Sequence, residues 1–185
     1  MQQHQLQARL VKVTRRQAGF RRFVERGENL RLGQPEASQL NQVWVSDITY
    51  IKVKDQYKYL IAIMDIYSRR IINWSLTETR TVSDSLKVLR RAISERQPQD
   101  GLIFHTDRGI EFTGYGFRDV LEKHGIRPSV NRLGYCTDND HMESFFHSLK
   151  IELIRGRKFN TMDELRCALN SYINHFYNKK RLILE

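Results

Sequence analysis

The chain changes hydrophobic period as it runs, and each change predicts an element. Val43, Val45, Asp47 and Thr49 alternate with Trp44, Ser46, Ile48 and Tyr50, a period of two in β-branched and aromatic residues that predicts a strand. Lys54-Asp55-Gln56 reads as a turn, with a second strand over Tyr57 to Asp65 and a third over Ile71 to Leu76. Connections this short favour antiparallel neighbours. From Thr81 to Gln97 the period lengthens, with Val82, Leu86, Leu89 and Ile93 on one helical face and Pro98 ending the run. Leu102 to Thr106 is a short apolar strand ending at Asp107. Phe117, Val120 and Leu121 mark a helix closed by Gly125, and Arg127 to Val130 is a fifth strand. After a loop containing Gly134, Met142, Phe145, Phe146, Leu149 and Leu153 form another helical stripe. The last helix opens with Thr161-Met162-Asp163-Glu164, a capping-box pattern, and its stripe runs through Leu165, Ala168, Leu169, Tyr172, Ile173 and Phe176. The order βββαβαβα, plus a C-terminal helix, predicts an α/β domain with a mixed five-stranded sheet flanked by helices. Trp44, Tyr50, Tyr57, Tyr59 and Trp74 fall on strands and read as core or sheet-face residues rather than base-stacking platforms.

A length of 185 residues fits one domain with a self-sufficient core. Hydrophobic residues at 40% and charged residues at 28% fit a folded soluble chain rather than a disordered one. The longest apolar run, Leu60 to Met64, is far short of a membrane span, and the opening Met-Gln-Gln-His-Gln carries no secretion signature. Cys136 and Cys167 stand in no metal-ligand spacing, which argues against a disulfide scaffold or zinc and suits a reducing cytoplasm. Charge changes the picture more. Of the net +10, residues 1–40 carry 8 Lys+Arg against 3 Asp+Glu and residues 144–185 carry 8 against 4, while residues 41–143 carry 15 against 14. Basic flanks around a nearly neutral, acid-bearing centre suit a polyanionic partner, nucleic acid above all, although solvated basic faces give the same sums.

Three acids occupy positions that packing alone does not explain. Asp47 shares a strand face with Val43 and Val45, so it points to a side that should be covered. Asp107 stands at the C-terminal end of the fourth strand, where ligands collect in open α/β sheets. Glu143 lies one position off the Met142–Phe146–Leu149 stripe, near the start of its helix. Buried carboxylates are paired or coordinate metals, and three oxygen donors suit Mg²⁺ or Mn²⁺ rather than zinc. Spacing alone equally allows Asp47 to cap a turn and Glu143 to pair with a lysine.

Four segments carry a resemblance. They are Val43-Trp-Val-Ser-Asp-Ile-Thr-Tyr50, Leu60-Ile-Ala-Ile-Met-Asp-Ile-Tyr-Ser-Arg-Arg70, His105-Thr-Asp-Arg-Gly109, and the run from Gly134 through Asp138-Asn-Asp-His-Met-Glu143 to His147. In this order they resemble the retroviral-integrase-like catalytic core of bacterial insertion-sequence DDE transposases, the second-frame products. That family separates its second Asp from its Glu by 35 residues, and 108 through 142 is the same interval here. The resemblance covers about Val43 to Lys180. It implies an RNase H-like fold and a site in which Asp47, Asp107 and Glu143 are the catalytic residues and the ligands of two Mg²⁺ or Mn²⁺ ions. It implies metal-dependent DNA strand cleavage and strand transfer, with double-stranded DNA (element ends and target) as partner. Lys150 lies seven residues, two helical turns, beyond Glu143 and is expected near the DNA end, with Arg108 a further DNA-contact candidate. His147, at i+4, fits a phosphate contact or a merely solvated imidazole. Asn139 matches an Asp-Asn pair ahead of the catalytic helix and reads either as a group orienting the acid at the DNA site or as a helix N-cap, a role open also to Thr137 and Asp138. Asp65 reads as structural, pairing with Arg69 or Arg70.

The resemblance also shows departures. Residues 1–40 read as a basic linker and the tail of an absent N-terminal DNA-binding region, 41–180 as the catalytic core and 181–185 as a truncated C-terminal tail, so a shortened copy is expected. Self-association on DNA, a separate first-frame helix-turn-helix partner, and a cytoplasmic, nucleoid-associated location complete the expectation, with no membrane role. The rivals are an RNase H-like nuclease and a catalytically silent DNA-binding fragment.

Overall fold

The period-two segment forms β1 (Val43–Val53), which runs three residues further than its alternation suggests because Ile51 and Val53 go on burying side chains. It is followed by β2 (Gln56–Asp65), β3 (Ile71–Thr77), α1 (Val82–Arg96) and β4 (Ile103–Thr106). A short α2 (Ile110–Thr113) and α3 (Tyr115–Lys123) then lead to β5 (Arg127–Val130). A 3₁₀ turn over Cys136–Asn139 enters α4 (Asp140–Leu149). Last come α5 (Met162–Asn170) and α6 (Asn178–Lys180). These elements come from a computed structural model that describes residues 27–134 and 136–181. Most of the 1–40 segment and of the 181–185 tail therefore lies outside the described residues.

The five-stranded sheet has the order β3-β2-β1-β4-β5. The hairpin strands β1, β2 and β3 are antiparallel, whereas β4 and β5 join β1 in parallel through helical crossovers. The mixed sheet expected from the element order is thus present, with helices on both faces. Even-numbered β1 residues and odd-numbered β2 residues share the α1–α3 face, where Trp44, Ile61 and Ile63 pack with Val88, Leu89, Phe104 and Phe117. The opposite parity faces α4 and α5, where Val45, Ala62 and Met64 meet Met142, Phe145, Leu149, Leu165 and Leu169. Each fully buried Val, Leu, Ile, Phe or Met among them contributes about 1.5–3 kcal/mol.

Helix ends follow their chemistry. Thr81 caps α1 through Asp84 N–H at 3.2 Å, and Thr161 caps α5 through Glu164 N–H at 3.1 Å. Two expectations need correction. Beyond Leu149 and beyond Asn170 the helices widen into π turns, over Lys150–Ile154 and Ser171–Tyr177. A wider turn advances each residue by a smaller angle. Phe176, assigned to the buried stripe, is therefore exposed, and Tyr177 turns inward to meet Phe145 edge-on at 4.8 Å. Asp65 is structural but not through an arginine. It is fully buried, and its carboxylate accepts from Asn41 N–H at 2.7 Å, Ser68 N–H at 2.8 Å and the Ser68 hydroxyl at 2.9 Å, stapling the β2–β3 turn to the entry of β1.

Candidate active site

The register of two parallel strands sets the first two acids. Val43 to Ser46 pair with Ile103 to Thr106, and pairing stops there. Asp47 and Asp107 are the next residue of each strand, so they emerge side by side from chains about 4.8 Å apart, where the sheet opens between β1 and the loop after β4. Each carboxylate is aimed by the local backbone: Asp47 Oδ1 accepts from Ile48 N–H at 2.7 Å and Asp107 Oδ1 from Gly109 N–H at 2.9 Å. Gly109 is needed for space, since a Cβ there would lie 2.5 Å from Glu111 Oε2 and 2.8 Å from Asp107 Oδ1. Glu111 is itself buried and ion-paired to Arg80.

The third acid arrives on α4. Asn139 precedes that helix and is 3% exposed, and its side-chain amide donates to Ser46 carbonyl at 3.2 Å. This one bond fixes the start of α4 to the residue before Asp47. Glu143 follows one turn later, exposed while Met142, Phe145 and Phe146 beside it are buried. The charges of Asp107 and Glu143 both act on Asp47, whose carboxyl is pushed up to about 7 by burial first and by these two neighbours next, against the opposing pull of the Ile48 N–H and Lys150. Among the described residues no three acidic, His or Cys side chains are drawn into a closed ligand cluster. Three carboxylates repel, and the exposed Glu143 is the one able to stand off. The donor set still fits a hard divalent cation, with oxygen ligands alone and a half-buried anion that any cation beside it would relieve.

The four DNA-contact candidates separate into two kinds. His147 and Lys150 are exposed on the helix of Glu143, and the Lys150 ammonium lies 5.2 Å from the centre of the Tyr50 ring. Asn139 is inside, on Ser46. Arg108 holds the chain: its Nε donates to Asn131 carbonyl at 2.7 Å and its NH2 to Gly27 carbonyl at 2.8 Å, bracing the loop that carries Asp107.

Behind this loop lies a polar network that spacing does not reveal. Asp138 accepts from Arg132 (backbone N–H at 2.9 Å, NH2 at 2.8 Å) and from Asn29 Nδ2 at 2.8 Å, and Arg132 above all holds its carboxyl far below the usual range. Arg31 donates to the Asp138 carbonyl at 3.0 Å. His105, fully buried on β4, lies 2.8 Å from Ser129 Oγ through Nδ1 and 2.8 Å from Asn131 Oδ1 through Nε2. Burial, then the Arg31 charge, press its pKa down to about 4. Leu30 N–H donates to Ser129 Oγ at 2.9 Å and Val130 N–H to Glu28 carbonyl at 3.0 Å, so residues 28–31 line the outer edge of β5. The one hint in the sequence is parity, for His105 alternates with Phe104 and Thr106 and shares its side with Asp107.

The chain matches the integrase core domain over residues 37–136 and a second integrase core domain description over residues 143–184. It is 38% identical over 141 residues to the 31 kDa protein of insertion element IS600 from Shigella sonnei, covering 76% of this chain and 52% of that protein. It is 36% identical over 154 residues to transposase InsF of insertion sequence IS3A from Escherichia coli K12, covering 83% and 54%. The chain spans about half the length of the curated relatives it matches. Solved structures share the fold. A simian T-cell lymphotropic virus intasome, in complex with a PP2A regulatory subunit, aligns with a TM-score of 0.66 at 21% identity over 86% of this chain and 54% of that one. The dimeric HTLV-2 integrase catalytic core domain with magnesium aligns at 0.58 and 19%, over 79% and 92%. The Mos1 mariner transposase catalytic domain aligns at 0.55 and 18%, over 75% of both.

Proposed function

The chain belongs to the integrase core domain family, and from that premise we propose that it is the catalytic core of a bacterial insertion-sequence transposase of the DDE type. Its reaction is cleavage of one DNA strand at an element end and joining of the freed 3′-hydroxyl to a target phosphodiester. The observation that carries this reading is the place where β1–β4 pairing ends, Ser46 opposite Thr106, which leaves two aspartates adjacent at an open sheet edge. Asp47, Asp107 and Glu143 would hold the divalent cation, Mg²⁺ or Mn²⁺, which we assign as two ions. When bound, the ions acidify the attacking hydroxyl and neutralise charge building on the departing oxygen.

The chain's own residues do the rest. Ile48 and Gly109 N–H groups point one oxygen each of Asp47 and Asp107, leaving the other oxygens for the cation. Asn139 keeps Glu143 over β1, and Arg108 with Asn131 keeps the Asp107 loop in place. Lys150 supplies positive charge beside the carboxylates for the phosphate that lies there, and His147, one turn earlier, faces the same side. In the first step water attacks phosphorus and the P–O3′ bond breaks, leaving a 3′-hydroxyl and a 5′-phosphate. In the second that hydroxyl attacks a target phosphorus, forms a new phosphodiester and releases the target's 3′-hydroxyl. Attack from outside makes a protein nucleophile unnecessary. The basic residues of both flanks bind duplex phosphates, so affinity falls steeply with salt. We assign self-association on paired ends, a helix-turn-helix first-frame partner and a cytoplasmic, nucleoid-associated location to the same reading; among the described residues no helix is long and apolar enough to cross a membrane.

A pre-cut DNA end with a free 3′-hydroxyl, incubated with the chain, a plasmid target and Mn²⁺, tests the proposal. Joined products are expected. Nicks without joining would identify a nuclease of the same fold, and a salt-sensitive gel shift without chemistry a silent DNA-binding fragment. Asp107→Asn is expected to reduce joining to background while DNA binding persists; normal joining by that variant would refute the site.

A further inference from the structure

On the open side of β1, from Asp47 onward, the strand has no β4 partner, and the chain returns only at Val53, which bridges to Phe159. Along this stretch the helical cover of the α1 face also runs out. Trp44 is fully buried on that face and Ile48 still packs against the α1 side, but Tyr50 is 59% exposed and Tyr57, its diagonal neighbour, 56% exposed. The two rings meet at 83° with centroids 5.2 Å apart, an edge-to-face contact that fixes the orientation of both. Lys150 opens the π turn that follows α4, the helix covering the other face, and its ammonium reaches Tyr50 at the open edge. The same ammonium acts on Asp47. An exposed ring, a cation and the first acid therefore surround one uncovered stretch of backbone. Lys52, loosely paired with Asp55 at 3.9 Å, and Lys54 just past β1 add positive charge, and the Phe159 bridge brings Arg157 and Lys158 beside the end of the strand.

We propose that Tyr50, buttressed by Tyr57, is a stacking platform for an unpaired base at the DNA end, with Lys150 turning from the ring to that nucleotide's phosphate. The inference rests on the strand-transfer reading above and adds a base-binding site to it. A ring with an ammonium 5.2 Å from its centre suits a flat, phosphate-linked ligand, and an unpaired or frayed base offers both of its faces, whereas bases inside a duplex are stacked on one another. Lys150 is held at Tyr50 by a loose cation–π contact, so a base can replace it at small cost.

The test uses the full 185-residue chain carrying Asp107→Asn to stop chemistry, with a blunt duplex and the same duplex bearing a short single-stranded overhang that contains 2-aminopurine. Binding should quench the 2-aminopurine emission. Tyr50→Leu should abolish the quenching and weaken overhang binding by about tenfold, leave blunt-duplex binding within about twofold, and keep the melting temperature. Tyr50→Trp should restore both signals. Equal binding of the overhang by Tyr50→Leu, or an equal loss for both DNAs, would overturn the platform. A change in sedimentation with no change in DNA binding would also overturn it, by placing the ring between copies of the chain. If the parent chain binds neither DNA, the strand-transfer reading fails first and the platform with it.

Discussion

His105 offers the sharpest quantitative check, because its neutrality is built into the loop that carries Asp107. The imidazole is fully buried and its partners polarise it one way: Leu30 N–H donates to Ser129 Oγ, the Ser129 hydroxyl donates to Nδ1, and Nε2–H donates to Asn131 Oδ1. A second proton on Nδ1 would force the Ser129 hydroxyl to turn from donor to acceptor and give up its own acceptor, in a buried place within reach of the Arg31 charge. The folded pKa is pressed to about 4 against an ordinary 6.5. The sign follows directly. Below pH 6.5 the unfolded chain takes up a proton that the folded chain refuses, so stability is complete above 6.5 and is lost as pH falls toward 4. The full span is worth about 3.4 kcal/mol, and about 2.5 kcal/mol of it is gone by pH 4.5. Asp47, raised by burial and its acidic neighbours, tilts the same window oppositely, since its ionisation costs stability as pH rises toward 7. A difference between two proteins removes that contribution. In urea unfolding, His105→Gln should be about 1–2 kcal/mol less stable than the parent at pH 7.5 for its weaker hydrogen bonds. By pH 4.5 the gap should close or reverse, because glutamine has nothing to titrate. Parallel stability curves from pH 7.5 to 4.5 would refute the argument.

Three further substitutions probe the scaffold around the acids. Gly109→Ala places a methyl against Asp107 Oδ1 and Glu111 Oε2; strand joining should fall by about a hundredfold with an unchanged melting temperature, and normal joining would show that Asp107 has room to move. Asp138→Ala removes an acceptor shared by Arg132 and Asn29 and, with the Arg132 side chain 39% exposed, should cost about 1.5–3 kcal/mol in urea unfolding. Because Arg132 holds that carboxyl far below its usual range, the parent keeps the contribution above the ordinary carboxylate pKa and loses it only in strong acid. Asn178 pairs with the free edge of β3 through both ends of its amide, accepting from Ile71 N–H at 2.9 Å and donating to Ile71 carbonyl at 2.9 Å. Asn178→Ala should cost about 1–2 kcal/mol and accelerate amide exchange at Ile71.

The order of elements was readable because every strand and helix buries one face, and period reports a face directly. The same logic placed Asp47 beside Val45 and Asp107 at the end of β4. It could not show that Ser46 lies opposite Thr106, the fact that makes the two acids neighbours, because register between distant strands leaves no trace in either segment alone. The Asp138 network was equally hidden. Asn29 stands 109 residues from Asp138 in the sequence and Arg132 six, and their residue types are ordinary for loops. Asn139 shows the limit of motif reading: its position before the helix leaves an orienting group, an N-cap and a DNA contact all open, and only the fold reveals that it is buried with its amide on the Ser46 carbonyl.

The aromatic residues of β1 carry this reasoning one step further. Trp44 and Tyr50 share parity, so alternation assigns them the same face and the same fate, yet one is fully buried and the other exposed. What differs is the layer opposite, which period does not encode. β4 is only Ile103–Thr106, four residues against a β1 that continues to Val53, and its pairing with β1 ends at Ser46. The shortness of one strand therefore does two things at once: it frees the backbone edge at which Asp47 meets Asp107, and it uncovers Tyr50 three positions on. A pattern rule fails at Tyr50 for the same physical reason that Asp47 has no β4 partner. In this sheet the departure from amphipathic expectation falls on the edge proposed as reactive, as expected where function overrides local consistency.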